Sequence, residues 1–220
     1  LINGIPAAEV ATRPVLIRVP NTRIALADLA ARFFNNPSEH MTLIGITGTN
    51  GKTTCSHLLA QCLNHAPYRC AVIGTLGNGF PGELDTTMHT TPDPVTVHKL
   101  LARYIDSGAS HVCIEVSSHA LEQGRVNGVA FDVAVFTNLS RDHLDYHGDM
   151  ANYGRAKRRL FESKGLKYAV INIDDDYGRQ MLMSMPASVG TVSYGFNSKD
   201  FSPSLLGSNL QLGRNGLRMH

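Results

Sequence analysis

Cysteine is scarce in this chain, the charges nearly cancel, and no apolar run is long. The four cysteines in 220 residues, Cys55, Cys62, Cys70 and Cys113, form no C-x-x-C pair. That spacing argues against a zinc ribbon or a redox dithiol motif. Three of the four lie in apolar patterns, which predicts buried free thiols in a reducing compartment. A formal net charge of +2 lacks the basic bias of a nucleic-acid or anionic-membrane binder. No stretch approaches the roughly 20 apolar residues that span a bilayer. Neither internal repeats nor low-complexity segments occur, and no leader-like segment opens the chain. The cytoplasm is the expected compartment.

What is present is concentrated in one run, Leu43-Ile44-Gly45-Ile46-Thr47-Gly48-Thr49-Asn50-Gly51-Lys52-Thr53-Thr54. An apolar segment feeds a glycine-rich turn ending in Gly-Lys-Thr, and an amphipathic pattern follows (Cys55, Leu58, Leu59, Cys62, Leu63). Backbone N–H groups of such a turn point at an anion, Lys52 can reach the outer phosphates, and the Thr53 hydroxyl can face magnesium. The run predicts binding of a nucleoside triphosphate. It departs from the general G-x-x-x-x-G-K-[ST] pattern, since Ile46 stands where a glycine belongs and the glycines fall at 45, 48 and 51. A chance glycine-rich turn before a core helix is the bland alternative.

From Met41 onward, strand and helix patterns alternate. Strands are expected at Thr42–Ile46, Cys70–Ile73, His111–Val116, Val133–Thr137 and Tyr168–Ile173. Helices are expected at Thr53–His65, Pro94–Ser107, Asn152–Ser163 and Tyr177–Met183. The fold class is therefore α/β, a mostly parallel P-loop (Rossmann-like) sheet with helices on both faces, its ligands at the C-terminal strand ends. Before it, Val15–Val19 could be a strand, and Ile24–Phe34 reads as a helix with Leu26, Leu29, Ala30 and Phe33 on one face. Asn35-Asn36-Pro37-Ser38 then marks a domain boundary. The tail from Val189 suggests an antiparallel extension, and Arg214-Asn215-Gly216 a hairpin turn with a partly present return strand. The first residue is Leu1, and a fragment of a longer enzyme is expected.

Other residues at strand ends carry chemistry. Glu115 closes an apolar strand and is followed by Ser117-Ser118-His119. An acid there can hold Mg²⁺ directly or through water, or it can simply face solvent. The loop Thr137-Asn138-Leu139-Ser140-Arg141-Asp142-His143-Leu144-Asp145-Tyr146-His147 groups Asn, Asp and His, residues suited to metal or phosphate work. Each of them alone could be a turn-former or cap. Lys157, in Tyr153-Gly154-Arg155-Ala156-Lys157-Arg158-Arg159, would by itself be taken for part of a solvated basic face or a phosphate-steering patch.

Together, Gly48–Thr54, Glu115-Val-Ser-Ser-His119, Thr137–His147 and Tyr153…Lys157 closely resemble the Mur ligases, most of all the MurE branch. The resemblance runs from about Ile24 to Asp176 and fades in the tail. It implies ATP-dependent amide ligation through an acyl phosphate, adding the third residue of the peptidoglycan stem peptide. It implies ATP-binding by Gly48, Thr49, Asn50, Gly51, Lys52, Thr53 and Thr54. One Mg²⁺ would be held by Thr53 and Glu115 and a second by His143, with Lys157 carbamylated into a carboxylate-like metal ligand. Lys52, Lys157 and His143 would be catalytic. Thr90, Thr91, Ser117, Gln123 and Arg125 would bind UDP-N-acetylmuramoyl-dipeptide, and the second substrate would be diaminopimelate or lysine. No nucleic acid or membrane partner is implied, and a monomer is expected. His119, Asn138, Asp142 and His147 receive no firm role.

The resemblance also divides the chain. Residues 1–38 would be the end of the UDP-binding N-terminal domain and 39–220 an incomplete central ATP-binding domain. The C-terminal ligase domain, which selects the amino acid, would be absent, so the fragment itself is not expected to turn over. The rival readings are a sibling Mur ligase, folylpolyglutamate synthase, a non-catalytic nucleotide-binding module and a P-loop ATPase or GTPase switch.

Overall fold

The computed structural model describes residues 17–196, 202–213 and 216–218. In chain order it comprises α1 (Thr22–Phe33), β1 (Thr42–Thr47), α2 (Lys52–His65), β2 (Cys70–Gly74), β3 (Gly77–Phe80), β4 (Glu83–Asp85), α3 (Pro94–Asp106), β5 (His111–Glu115), α4 (Ser118–Glu122) and β6 (Val133–Phe136). There follow α5 (Leu144–His147), α6 (Met150–Arg158), β7 (Tyr168–Asn172), α7 (Asp176–Met183), β8 (Gly190–Gly195), β9 (Leu205–Leu206), β10 (Gln211–Gly213) and β11 (Gly216–Arg218). Among the described residues, no helix is long and apolar enough to cross a membrane.

The main sheet has nine strands in the order β4-β3-β2-β5-β1-β6-β7-β8-β9. β1 lies in the middle, parallel to β5 on one side and β6 on the other. Its side chains alternate between two buried layers, as a strand covered on both faces requires. Leu43 joins the larger layer with Ile73, Leu101, Tyr104, Phe131 and Ile171, whereas Ile44 and Ile46 join the layer with Ala60, Cys70, Val72 and Cys113. Gly45 lies on the crowded side, where a Cβ would meet Phe131 at 2.9 Å and Leu160 at 2.8 Å. The order places the C-terminal ends of β5, β1 and β6 side by side.

Several expectations change. Val15 and Leu16 lie outside the described residues, and Ile17–Val19 form no strand. Helix α1 turns Ala27, Ala30 and Ala31 inward, with Leu26, Leu29 and Phe33 partly exposed. Small side chains let it approach α3 and Gly128, whose Cβ would stand 3.2 Å from that of Ala31. Likewise α2 buries Ser56 and Ala60, while Leu58 and Cys62 are exposed. Only Cys70 and Cys113 are fully buried thiols.

The tail is also corrected. β8 runs parallel to β7, because the α7 crossover returns the chain in that direction, and β9 pairs parallel with β8. An antiparallel pair does form farther on, between β10 and β11; its turn residues Arg214 and Asn215 lie outside the described residues. The hairpin β3–β4 was not expected at all. It pairs antiparallel with β2 and makes the other edge of the sheet.

Candidate active site

β1 delivers the chain to a loop whose shape depends on glycine. Gly48 and Gly51 have positive φ (149° and 84°), and a Cβ on Gly48 would lie 1.9 Å from Thr137 Oγ1. The space is taken because the end of β6 clamps the loop. Thr137 Oγ1 donates to the Asn50 carbonyl at 2.6 Å, the Asn50 N–H donates to Asn138 Oδ1 at 3.1 Å, and the Thr49 N–H donates to the Asn138 carbonyl at 2.8 Å. Thus Asn138 shapes the loop. Lys52, in the first turn of α2, curls back and donates to the carbonyls of Gly48 and Thr49, both at 2.8 Å. Burial pushes its pKa down, and the charges of Glu115 and Asp142 oppose that. Thr54, two residues farther, is exposed.

β5 ends on Glu115, whose side chain is fully buried rather than solvent-facing. Its carboxylate accepts from Thr53 Oγ1 at 2.8 Å, from the Thr75 N–H at 3.0 Å and from Thr75 Oγ1 at 3.1 Å. The room is made by Gly74, where a Cβ would meet Glu115 Oε1 at 2.1 Å. The sequence does not single out Thr75, although it directly follows β2 at the same end of the sheet where Glu115 closes β5.

The segment expected to hold the acceptor is connected to this carboxylate. Thr75 Oγ1 and Thr90 Oγ1 are 3.0 Å apart. Thr91 Oγ1 donates to the Glu115 carbonyl at 2.7 Å and accepts from the Ser117 N–H at 3.1 Å. Arg125 donates to the Thr91 carbonyl at 2.9 Å and to Gln123 Oε1 through two of its nitrogens. Thr90, Thr91, Ser117, Gln123 and Arg125, which are scattered over 36 sequence positions, therefore form one bonded group beside Glu115. A cavity of about 680 Å³ opens next to it and includes Gln123 in its wall with Arg23, Glu39, Asn127 and Lys164.

Helix α6 supplies the third side. Tyr153 and Lys157, one turn apart, are buried, whereas Arg155 and Arg159 are exposed. Lys157 Nζ donates to the Gly48 carbonyl at 2.9 Å and sits 4.2 Å from the centre of the Tyr153 ring. Its pKa is pushed down to about 7, first by burial and then by the neighbouring Lys52, with Asp142 acting the other way. A solvated basic face therefore describes the arginines of this helix and not Lys157. His143 has left-handed backbone (φ 51°), lies 3.5 Å from an Asp142 carboxylate oxygen, and is exposed. His119 contacts His143 and His147 edge-on or tilted, at ring separations of 4.8 and 5.4 Å. His147 is buried and bonded to Ser118 Oγ at 2.9 Å. Among the described residues, no three His, Cys, Asp or Glu side chains form a group able to hold a metal by themselves.

The glycine loop at the tip of β1, Glu115 and the Thr137–His147 loop all fall within the stretch that one family model matches. Residues 46–219 match the model of the Mur ligase middle domain. The chain belongs to the Mur ligase family. Within that family it is 52% identical over 196 residues to the UDP-N-acetylmuramoyl-L-alanyl-D-glutamate–2,6-diaminopimelate ligase of Chromobacterium violaceum, covering 89% of this chain and 40% of that protein. The ligase of the same name from Alkalilimnicola ehrlichii is 47% identical over 213 residues, 97% of this chain and 42% of its own length. A solved structure of such a ligase superposes with a TM-score of 0.82 at 38% identity, covering 92% of this chain and 42% of the other. Folylpolyglutamate synthase of Mycobacterium tuberculosis, solved with ADP and AMPPCP, shares the fold (TM-score 0.68, 18% identity, covering 90% of this chain and 50% of that one). The chain thus spans about two fifths of the length of the ligases it matches.

Proposed function

We propose that the chain is the ATP-binding and phosphoryl-transfer part of a MurE-type ligase, acting in the cytoplasm as a monomer. The ligase would add diaminopimelate or lysine to UDP-N-acetylmuramoyl-L-alanyl-D-glutamate. In this reading residues 39–220 are the central domain and 1–38 the end of a preceding one. The observation that carries it is the junction at the tips of β1 and β5. There Thr53 and the buried Glu115 meet at 2.8 Å behind a glycine loop held by Lys52 and Lys157.

The reaction would transfer the γ-phosphoryl group of ATP to the acceptor carboxylate, giving an acyl phosphate and ADP. The incoming amine would then attack the acyl carbon and expel phosphate. Such transfer depends on positioning and charge neutralisation. Gly48–Thr54 would cradle the phosphates, and Lys52 would exchange its two loop carbonyls for phosphate oxygens. Thr90, Thr91, Ser117, Gln123 and Arg125 would orient the acceptor, the guanidinium pairing with its carboxylate.

The donor set at Thr53 and Glu115 fits a hard divalent cation, since it offers a hydroxyl and a carboxylate oxygen. Magnesium bound there, and a second ion near His143 and Lys157, would neutralise phosphate charge. Lys157 is chemically ready for carbamylation, because its buried amine with a pKa of about 7 is substantially neutral near physiological pH. A carbamate nitrogen keeps one N–H, so the bond to the Gly48 carbonyl can survive the modification.

Calorimetry with Mg²⁺ and a non-hydrolysable ATP analogue tests the cradle. Lys52→Ala should weaken binding by about a hundredfold, as expected for a charge-assisted contact to phosphate. Equal affinity of variant and wild type would refute the assignment.

A further inference from the structure

Tyr153 touches three parts of the site at once: the glycine loop, Lys157 and His147. It is buried in α6, with its hydroxyl 3.2 Å from Thr49 Oγ1 of the glycine loop. One turn along the same helix face, the Lys157 nitrogen lies over its ring at 4.2 Å. The ring also packs against His147 at 5.1 Å, and His147 is bonded to Ser118, beside the acceptor residue Ser117.

Thr49 makes this placement consequential. Its hydroxyl lies between the Ser140 carbonyl at 3.2 Å and the Ser140 N–H, which donates to it at 3.0 Å. Tyr153 therefore touches the loop where the β1 turn and the Thr137–His147 loop are tied together. The same side chain limits where the Lys157 amine can lie, because the ring covers one side of the nitrogen and the Gly48 carbonyl binds it at 2.9 Å.

We propose that Tyr153 is a positioning residue with two separable duties. Its hydroxyl sets Thr49 and hence the shape of the loop around a nucleotide, and its ring fixes the Lys157 nitrogen against Gly48. The proposal rests on the nucleotide-binding reading of the loop. A tyrosine that merely filled space would behave differently: Phe keeps almost all of the volume and should then change no binding property.

A ligase containing this chain is suited to the test as wild type, Lys52→Ala, Tyr153→Phe and Tyr153→Leu. One measurement is calorimetric binding of Mg²⁺ with AMPPNP. The other is the rate of Lys157 acetylation by acetic anhydride, read by peptide mass spectrometry with Lys52 as internal reference. Tyr153→Phe should weaken AMPPNP by about three- to tenfold, the range for one lost hydrogen bond, with Lys157 labelling unchanged. Tyr153→Leu should in addition raise Lys157 labelling about threefold or more, as the ring contact is lost. Unchanged AMPPNP affinity in Tyr153→Phe, or unchanged Lys157 labelling in Tyr153→Leu, would overturn the proposal while leaving the nucleotide reading intact. Wild-type protein that binds no AMPPNP, like Lys52→Ala, would overturn both.

Discussion

Lys52 and Lys157 converge on one oxygen atom. Their nitrogens stand 2.8 and 2.9 Å from the Gly48 carbonyl, although 104 residues separate them in the chain. Two ammonium groups on a single acceptor repel, and the more deeply buried one yields: the charge of Lys52 helps lower the Lys157 pKa. Burial first, and this pairing second, thus hold the Lys157 amine well below the ordinary lysine range in a segment that also carries Arg155 and Arg158. Removing Lys157 separates the roles of the two. In an active ligase containing this chain, Lys157→Ala should abolish turnover, with partial rescue by a short carboxylic acid standing in for the carbamate. Full activity without the acid would rule out the assigned role.

Gly74 has no side chain to bind anything, yet by its place against Glu115 it is predicted to govern magnesium. A methyl group there would stand 2.1 Å from Glu115 Oε1 and force the carboxylate to move. Gly74→Ala should raise the Mg²⁺ concentration needed for half-maximal ATP binding about tenfold or more and destabilise the fold by about 1–3 kcal/mol, as overpacking does. A magnesium titration followed by nucleotide fluorescence measures the first effect; an unshifted midpoint would contradict the Glu115 assignment.

Arg125 is bonded to Thr91 and Gln123 and not to the glycine loop, which predicts a role at the acceptor. In a complete ligase Arg125→Ala should raise KM for the UDP-linked dipeptide far more than KM for ATP. Steady-state kinetics in both substrates decide it, and equal effects would move Arg125 elsewhere.

Acid should weaken this fold through a buried histidine. His98 in α3 is fully buried and bonded to the Asn127 carbonyl, and burial holds its pKa below the ordinary value, partly offset by that bond. Above about pH 6.5, the ordinary value, the ring is neutral in both folded and unfolded chains and contributes no pH dependence. As the pH falls below it, the unfolded chain takes up the proton first, so stability drops. Melting temperatures measured from pH 8 to 5 should fall on the acid side. His98→Gln should flatten part of that fall, and parallel curves would exclude His98 as a source.

Much of this site could be read from the order of residues because its parts hang on short apolar strands followed at once by polar residues. Leu43–Ile46 before Gly48, Val112–Glu115 before Ser117, and Val133–Phe136 before Thr137 each declared a strand tip. What could not be read depends on packing between distant segments. Nothing local distinguishes Lys157 from Arg155 and Arg159, and only the meeting of α6 with the Gly48 loop buries it. The β3 strand, Gly77-Asn78-Gly79-Phe80, lacks the apolar alternation that marks strands, and β2 supplies its order through pairing. The direction of β8 was misread because alternation reports a strand but not which way its neighbour runs.

The hydroxyl of Thr75 has one proton and two neighbours, Glu115 at 3.1 Å and Thr90 at 3.0 Å. The hydroxyl donates toward both, in a three-centre arrangement. The proton of Thr90 is then left over for an incoming molecule. Thr90 can greet a carbonyl or carboxylate oxygen, and that readiness is set through Thr75 by the place of Glu115.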